Sequence, residues 1–378
     1  MEIAGIVAEY NPFHTGHAYQ IDCTRQKLGE DCALVAVMSG HWVQGGRPAV
    51  VDKWTRARMA LEGGADLILE LPTVWASSSA ETFARGSVEI LHAAGAAALS
   101  FGSETGDGAA LEQVAQVLDD PAFSQALQPC LSQGLPFAQC RHRAVQELVG
   151  EEAAACLGNA NDNLGVEYLR AARRLGWSPK VYPVLRVGAG HDGGDHPQYP
   201  SASHVRGEIR TGAVAMDNPA FLSYNQRGML ARLRCLELED WERIPDCGEG
   251  LAQRLYRAVR QGTSLEEIYD LAKTKRYAHA RIRRAVLWGA LGLREQDRPA
   301  QVPYLRVLGA NERGLGVLRN LDGSVPVITK PTHGKGIPLM ELEARCTDFY
   351  ALCRETVTPC GAEWSTSPVI LQKSGNHV

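Results

Sequence analysis

The chain has 378 residues, of which 45% are hydrophobic and 22% charged, and its formal net charge is −4. This length suffices for two domains of roughly 150 residues each, and the composition is that of a globular protein with a large core. The chain has no apolar run of about 18 residues, and its N-terminus lacks the basic flank of a signal peptide, so no membrane partner is expected. The cysteines form no Cys-x-x-Cys pair. We therefore predict no protein-bound metal and expect a cytoplasmic location.

Short apolar runs alternate with helical patterns in the first part of the chain. The predicted strands are residues 3–8, 33–38, 67–69, 96–101 and 180–185. The predicted helices are residues 16–28, 53–62, 79–93 and 165–175. Such alternation predicts an α/β fold with a Rossmann-like parallel sheet, in which ligands bind beyond the carboxyl ends of the strands.

The pattern changes after about residue 215. Helices are predicted at residues 225–239, 251–261, 264–273 and 278–293, joined by short polar turns. Mixed patterns follow at residues 306–318, 326–330 and 339–354. We therefore predict two domains, a catalytic domain of residues 1–215 and a second, mainly helical domain of residues 216–378.

The strongest chemical signal is His14-Thr15-Gly16-His17, which directly follows the first predicted strand. The helix expected after it aims free backbone amides at the same spot, and these amides form a ready anion site. Two histidines three residues apart share one helix face and can donate hydrogen bonds to phosphate oxygens. Structural capping of the helix by the same histidines is the alternative.

Two further segments contain candidate phosphate contacts. Ser203 and Arg206 lie in a serine-rich segment at the start of a predicted helix; an ordinary N-cap at Ser201 or Ser203 is the alternative. Residues 186–192 form a glycine-rich loop after the strand at 180–185, for which a solvated turn is the alternative.

The motif and its surroundings resemble the tRNA(Met) cytidine acetate ligase family, within the HxGH nucleotidylyltransferase superfamily. The resemblance begins with residues 5–17, Gly-Ile-Val-Ala-Glu-Tyr-Asn-Pro-Phe-His-Thr-Gly-His. It continues through residues 38–40, 43–44, 47–49, 52–54, 64–72 and 101–104. It extends over nearly the whole chain and is looser in the second half.

The resemblance implies an ATP-dependent ligase. Such an enzyme forms acetyl-adenylate and pyrophosphate from acetate and ATP, then transfers the acetyl group to the wobble cytidine of elongator tRNA(Met). It implies catalytic roles for His14 and His17 and Mg²⁺ bound with the phosphates. The implied ATP-binding residues are Val7, Ala8, Glu9, Tyr10, Asn11, Pro12, Phe13, His14, Thr15, Gly16, His17, Ala18, Tyr19, Gln20, Gly102, Asn161 and Arg186.

The chain departs from the family pattern at three places. Gln44-Gly45-Gly46-Arg47 stands where the family usually has Gln-Arg-Gly and an acid. Asn161-Asp162 stands in place of two asparagines, and His191 directly follows Gly190 where an aromatic residue usually intervenes. These departures concern the acetate pocket and local RNA contacts more than the ATP site.

A basic cluster in the second half is the candidate tRNA contact. Lys275, Arg276, Arg283 and Arg284 are expected on a helical face, with Tyr277 nearby to stack on an unpaired base. A solvated face of a helical domain is the alternative.

Three classes of function compete at this stage. The first is the tRNA ligase. The second keeps the fold but changes the substrate, as a small-molecule adenylyltransferase or an acetate ligase acting on a protein-bound thiol. The third is a non-catalytic RNA-binding protein, against which the intact His14, Gly16, His17 and Arg186 argue.

Overall fold

The computed structural model describes residues 1–187 and 200–372. The strands β1 to β10 are, in chain order, Ile3–Ala8, Ala33–Ser39, Trp42–Val43, Arg47–Pro48, Leu67–Leu71, Ala98–Ser103, Lys180–Leu185, Leu305–Ala310, Val327–Ile328 and Val369–Ile370. The helices α1 to α18 are Thr15–Leu28, Lys53–Glu62, Thr73–Ala76, Ala80–Ala93, Gly108–Leu118, Pro121–Ser132, Phe137–Val149, Glu151–Ala154, Ala160–Leu175, Ala202–Thr211, Gln226–Arg234, Leu238–Glu242, Leu251–Gln261, Leu265–Ala272, His279–Leu291, Glu312–Arg319, Pro338–Ala351 and Ala362–Ser365.

A mostly parallel sheet forms the centre of the protein, which confirms the predicted α/β fold. Its strand order is β10-β8-β5-β2-β1-β6-β7, with β9 beside β8. All residues of β2 and β5 are buried, because helices cover both faces of the sheet. The chain moves outward from β1 through β2 to β5, then returns to place β6 on the other side of β1. The carboxyl ends of β1 and β6 therefore flank the point where the strand order reverses, which is the usual ligand site of such sheets.

The helices α11 to α15 form a compact unit beside the sheet. The indole Nε1 of Trp288 on α15 donates a hydrogen bond of 2.9 Å to the carbonyl oxygen of Ser77 and so anchors this unit next to α3. The single helix predicted at residues 225–239 is wrong, because the structure has two helices, α11 and α12. A new helix starts there because Glu237 and Asp240 form a reciprocal capping box at the beginning of α12.

The C-terminal segment returns to the sheet. Strand β8 pairs antiparallel with β5, and β10 pairs with β8. The buried ammonium of Lys53 on α2 contacts Glu70 of β5 and Glu363 of α18, each at 2.6 Å. The sheet thus crosses the predicted boundary at residue 215, and the mainly helical part is confined to the middle of the predicted second domain. The division of the chain into two separable units stays a prediction.

The helices α5 to α8 lie in a stretch for which the sequence analysis predicts no element. Aspartates cap the first two: Asp107 Oδ1 accepts hydrogen bonds from the amides of Ala109 and Ala110, and Asp120 Oδ1 accepts one from Ala122. Among the helices of residues 1–187 and 200–372, none is both long enough and apolar enough to cross a bilayer.

Candidate active site

The first helix begins on the side chain of His14. The Nδ1 atom of His14 accepts a hydrogen bond of 3.1 Å from the amide of Gly16, and the His14 amide donates one of 3.2 Å to Nδ1 of His17. The two imidazole rings stack with centroids 3.7 Å apart. A Cβ at Gly16 would lie only 3.0 Å from Cε1 of His14, so glycine at this position lets the His14 ring close over the helix terminus. The structure therefore shows both histidines capping the helix, while their donation of hydrogen bonds to phosphate oxygens stays a prediction.

Both histidines are neutral at pH 7. Burial, followed by the charges of Arg186 and Arg206, lowers the pKa of His14 to about 4. Burial, followed by His14 and Arg186, holds the pKa of His17 well below its usual value. Because each Nδ1 atom accepts a backbone N–H, each neutral ring carries its proton on Nε2. The pair therefore offers two Nε2–H donors and leaves the positive charge to the arginines.

A cavity lies between the carboxyl ends of β1, β6 and β7. It is lined by His14, Gly16, His17, Tyr19, Gln20, Gly102 and Arg186, all predicted ATP-binding residues, and by Val184, Leu185, Val187 and Pro200. Sequence reasoning did not assign the last four residues to the site, because they are apolar. Val184 and Leu185 are the last residues of β7, and Val187 lies in the predicted glycine-rich loop, so the position of the strand end is the signal that could have indicated them. The alkyl part of Arg186 lies over Gly102, where a Cβ would be 3.6 Å from Cγ of Arg186.

The other predicted ATP-binding residues lie around the cavity without being among its described lining. They are Val7, Ala8, Glu9, Tyr10, Asn11, Pro12, Phe13, Thr15, Ala18 and Asn161. Tyr10 and Phe13 support the site from beneath, since their rings contact the ring of His17 with centroids 4.9 and 5.5 Å away. Direct contact of these residues with ATP stays a prediction.

Helix α10 brings Arg206 to the same loop. Nη1 of Arg206 donates a hydrogen bond of 2.9 Å to the carbonyl oxygen of Asn11, and Nη2 donates one of 2.8 Å to Oγ of Ser203. Ser201 is the N-cap of this helix, because its Oγ accepts from the amide of His204. The N-cap interpretation therefore holds for Ser201, whereas Ser203 orients Arg206. Residues 188–192 of the predicted glycine-rich loop, including Gly190 and His191, lie outside the described residues.

Asn161 and Asp162 join the start of α9 to the end of β6. The Asn161 amide group and the backbone N–H of Asp162 donate to the carboxylate of Glu104. The buried carboxylate of Asp162 accepts hydrogen bonds from the hydroxyl of Ser103, the amide of Glu104 and Nδ2 of Asn159. An aspartate suits this position because every neighbour donates, and an asparagine would turn a donor toward one of them. This departure from the family pattern therefore serves the framework of the site.

Arg56 is a residue of this region that sequence reasoning missed. Its fully buried guanidinium donates to the carbonyl oxygens of Glu9 at 2.7 Å, Ser39 at 2.9 Å and Val51 at 3.1 Å. Arg56 thus ties together the chain after β1 and β2. No motif indicates this role, because an arginine in an amphipathic helix normally lies in solvent.

Only part of the predicted basic cluster is helical, and only part of it is available to contact RNA. Helix α15 begins at His279, so Lys275 and Arg276 lie in the preceding loop. Tyr277 is 5% exposed and donates to the carbonyl oxygen of Glu249, so its ring is not available for base stacking. Arg284 is mostly buried and lies 3.7 Å from a carboxylate oxygen of Asp246.

The turn between β3 and β4 joins helix α15 to the site. Gly46 has φ +70°, and a Cβ there would lie 2.7 Å from the backbone of Arg283 and Arg284. The carboxylate of Glu9 accepts a hydrogen bond of 2.8 Å from the amide of Gln44 in the same turn. The basic helix therefore packs against the β3–β4 turn, which is in turn hydrogen-bonded to the loop that follows β1.

Comparisons with known proteins agree in fold and family. The family model described as HIGH Nucleotidyl Transferase matches residues 1–363. The tRNA(Met) cytidine acetate ligase of Clostridium perfringens is 30% identical over 98% of this chain and 100% of its own length. That of Caldanaerobacter subterraneus is 35% identical over 93% and 95%. The crystal structure of Thermotoga maritima TmcAL bound with alpha-thio ATP matches with a TM-score of 0.91 at 29% identity, over 98% of this chain and 100% of that chain. The apo form matches with a TM-score of 0.92.

Proposed function

The chain belongs to the HIGH nucleotidyl transferase family and, within it, to the tRNA(Met) cytidine acetate ligases, and we propose that it acetylates the wobble cytidine of elongator tRNA(Met) in the cytoplasm. Acetate and ATP give acetyl-adenylate and pyrophosphate in the first step. In the second, the exocyclic amine of the cytidine attacks the acetyl carbonyl carbon, AMP leaves, and the amine loses a proton. The products are N4-acetylcytidine, AMP and pyrophosphate.

One observation supports this proposal above all: two neutral imidazoles, each with its Nδ1 atom accepting a backbone N–H, line a cavity together with Arg186 at the start of α1. When an acetate oxygen attacks the α-phosphorus, negative charge grows on the phosphoryl oxygens and on the departing pyrophosphate. Fixed donors and a nearby guanidinium stabilise that charge without changing their own protonation state. Because neither histidine is charged, neither repels the guanidinium of Arg186.

Arg206 extends the positive region toward the loop after β1. Its guanidinium is held by Asn11 and Ser203, so it can contact phosphate oxygens without a large loss of side-chain entropy. Lys275, Arg276, Arg283 and Arg284 are the proposed tRNA contacts, with Arg284 weakened in this role by its ion pair with Asp246.

Magnesium is expected to enter as the ATP complex. Within the described ranges there is no group of three or more metal-ligating side chains. Mg²⁺ that enters with ATP would need few protein ligands, so the donor set of the cavity is compatible with it. When bound, the ion would offset phosphate charge beside Arg186.

The test has two measurements. Exchange of labelled pyrophosphate into ATP should depend on acetate, and mass spectrometry of nucleosides from elongator tRNA(Met) should then reveal N4-acetylcytidine. Exchange that ignores acetate and responds to a coenzyme precursor would overturn the proposal in favour of a small-molecule adenylyltransferase. Exchange with acetate but no modified cytidine would overturn the RNA substrate alone.

A further inference from the structure

A second cavity lies in the helical unit, away from the residues that line the active site. It has a volume of about 490 Å³ and lies between α13 and the segment 273–278 that leads into α15. Its polar lining consists of Gln253, Arg254, Arg257, Gln261, Thr274 and Arg276. Among the described residues, no carboxylate lines it. A groove with three arginines and no acid is complementary to a polyanion.

The arginines of this groove have N–H groups for which the described residues provide no acceptor. Nε of Arg254 donates to the carbonyl oxygen of Ala272, which fixes the side chain and leaves both Nη groups for a ligand. Arg257 and Arg276 are exposed. In the part of the chain that the structure describes, neither of their side chains makes a hydrogen bond or ion pair. By contrast, Arg281 beside the groove is occupied by Glu249 at 2.9 Å.

Helix α15 connects the groove to the active site. Arg276 lines the groove and lies three residues before α15 begins. The backbone of α15 at Arg283 and Arg284 packs against Gly46, and the neighbouring Gln44 is held by Glu9 after β1. An extended polyanion bound in the groove would therefore be held in a fixed relation to the cavity that contains His14.

We infer that this groove binds the phosphodiester backbone of the tRNA at nucleotides that flank the reacting one. The inference rests on the proposed function for the identity of the RNA. The size of the cavity suits a nucleotide unit better than a single inorganic anion. The glutamine amides can contact ribose hydroxyls and base edges exposed in an unpaired loop, while the arginines contact the phosphates. The groove thus orients the RNA, and the choice of base is made at the active site.

The experiment compares the double variant Arg257→Ala, Arg276→Ala with wild type in binding to an unmodified elongator tRNA(Met) transcript. Removing one arginine–phosphate ion pair at 0.1 M salt lowers the affinity about five- to eightfold, so the dissociation constant should rise at least tenfold. The slope of log affinity against log salt should fall by about 1.4 to 1.8. Arg257→Lys keeps the charge and should bind within about threefold of wild type.

Arg260→Ala is the matched control on the same helix. Its guanidinium stacks on Tyr256, with its Cζ atom 3.4 Å from the ring centroid, and lies near Glu237, outside the groove. This variant should bind tRNA as wild type does. Equal affinity of the double variant and this control would overturn the inference. A weaker affinity with an unchanged salt slope, or with a lowered unfolding temperature, would overturn it too, because the loss would then come from the fold.

Two further measurements distinguish ATP from tRNA as the ligand of the groove, and the failure of this inference from the failure of the proposed function. Calorimetry with ATP should detect one site in both wild type and the double variant; a second ATP site that the double variant lacks would overturn RNA binding in the groove. If groove-dependent tRNA binding is found but wild type lacks acetate-dependent exchange, the proposed function fails while this inference stands.

Discussion

Asparagine in place of His14 separates the two roles that this histidine combines. As the N-cap of α1, His14 accepts a hydrogen bond of 3.1 Å from the amide of Gly16, and the residue lines the active-site cavity. Asparagine is among the best N-cap acceptors, whereas alanine loses about 1 kcal/mol of helix stability. Both substitutions remove the imidazole and its stacking on His17, so that effect is common to them. The free energy of unfolding of His14→Asn should therefore exceed that of His14→Ala by about 1 kcal/mol.

The activity of the two variants should fall together. Neither retains the Nε2–H donor, and removing one preorganised donor to developing charge slows chemistry by about 10²- to 10³-fold. Urea denaturation measures the first difference, and acetate-dependent pyrophosphate exchange at saturating ATP measures the second. Near-wild-type exchange in His14→Asn would refute the assignment, since the cap alone would then account for the histidine. Equal stability of the two variants would refute the capping role.

Three further predictions concern protons, a glycine and a buried charge. Since the pKa of His14 is lowered to about 4, the folded chain binds fewer protons than the unfolded one between about pH 4 and 6.5. Wild type should therefore lose more stability than His14→Asn as pH falls through that window, as urea midpoints would record. Gly46→Ala should destabilise by more than Gly29→Ala, because both have positive φ but only at Gly46 would the Cβ lie 2.7 Å from backbone atoms. Equal unfolding temperatures would contradict this. Lys53→Met should lower the free energy of unfolding by about 3–5 kcal/mol, because buried Glu70 would lose its ion pair and buried Glu363 would keep only Arg306 at 3.7 Å. A decrease below about 1 kcal/mol would exclude that role for the lysine.

Local signals explain what was predicted correctly. The predicted bounds of the helices at residues 53–62 and 251–261 and of the strand at 180–185 coincide with the structure. Hydrophobic periodicity and end signals determine these elements within a few residues of sequence. The histidine motif was located for the same reason, because the strand, the cap and the helix are contiguous.

Long-range contacts explain the rest. Nothing local to Leu305–Ala310 indicates that it pairs antiparallel with a strand more than two hundred residues earlier. The pattern around Lys53 and Arg56 is that of an exposed helix face, yet both side chains are fully buried, since their partners come from distant segments. The apolar residues that line the cavity at the end of β7 and beyond it carry no chemical signature of their own, because their role depends on where the strand ends.

The turn at residues 44–47 departs from the family pattern in sequence, yet it places a guanidinium beside residue 45. Compared position by position with the family pattern, this turn lacks an arginine at residue 45 and an acid at residue 47. In the structure, a Cβ at Gly45 would lie 2.9 Å from Nε of Arg47 and 3.0 Å from Nη2. The Arg47 guanidinium therefore folds back over the place that a side chain at residue 45 would take. Gly46 meanwhile admits the backbone of α15. Together the two glycines and Arg47 place a guanidinium at the junction of the active-site loop and the basic helix.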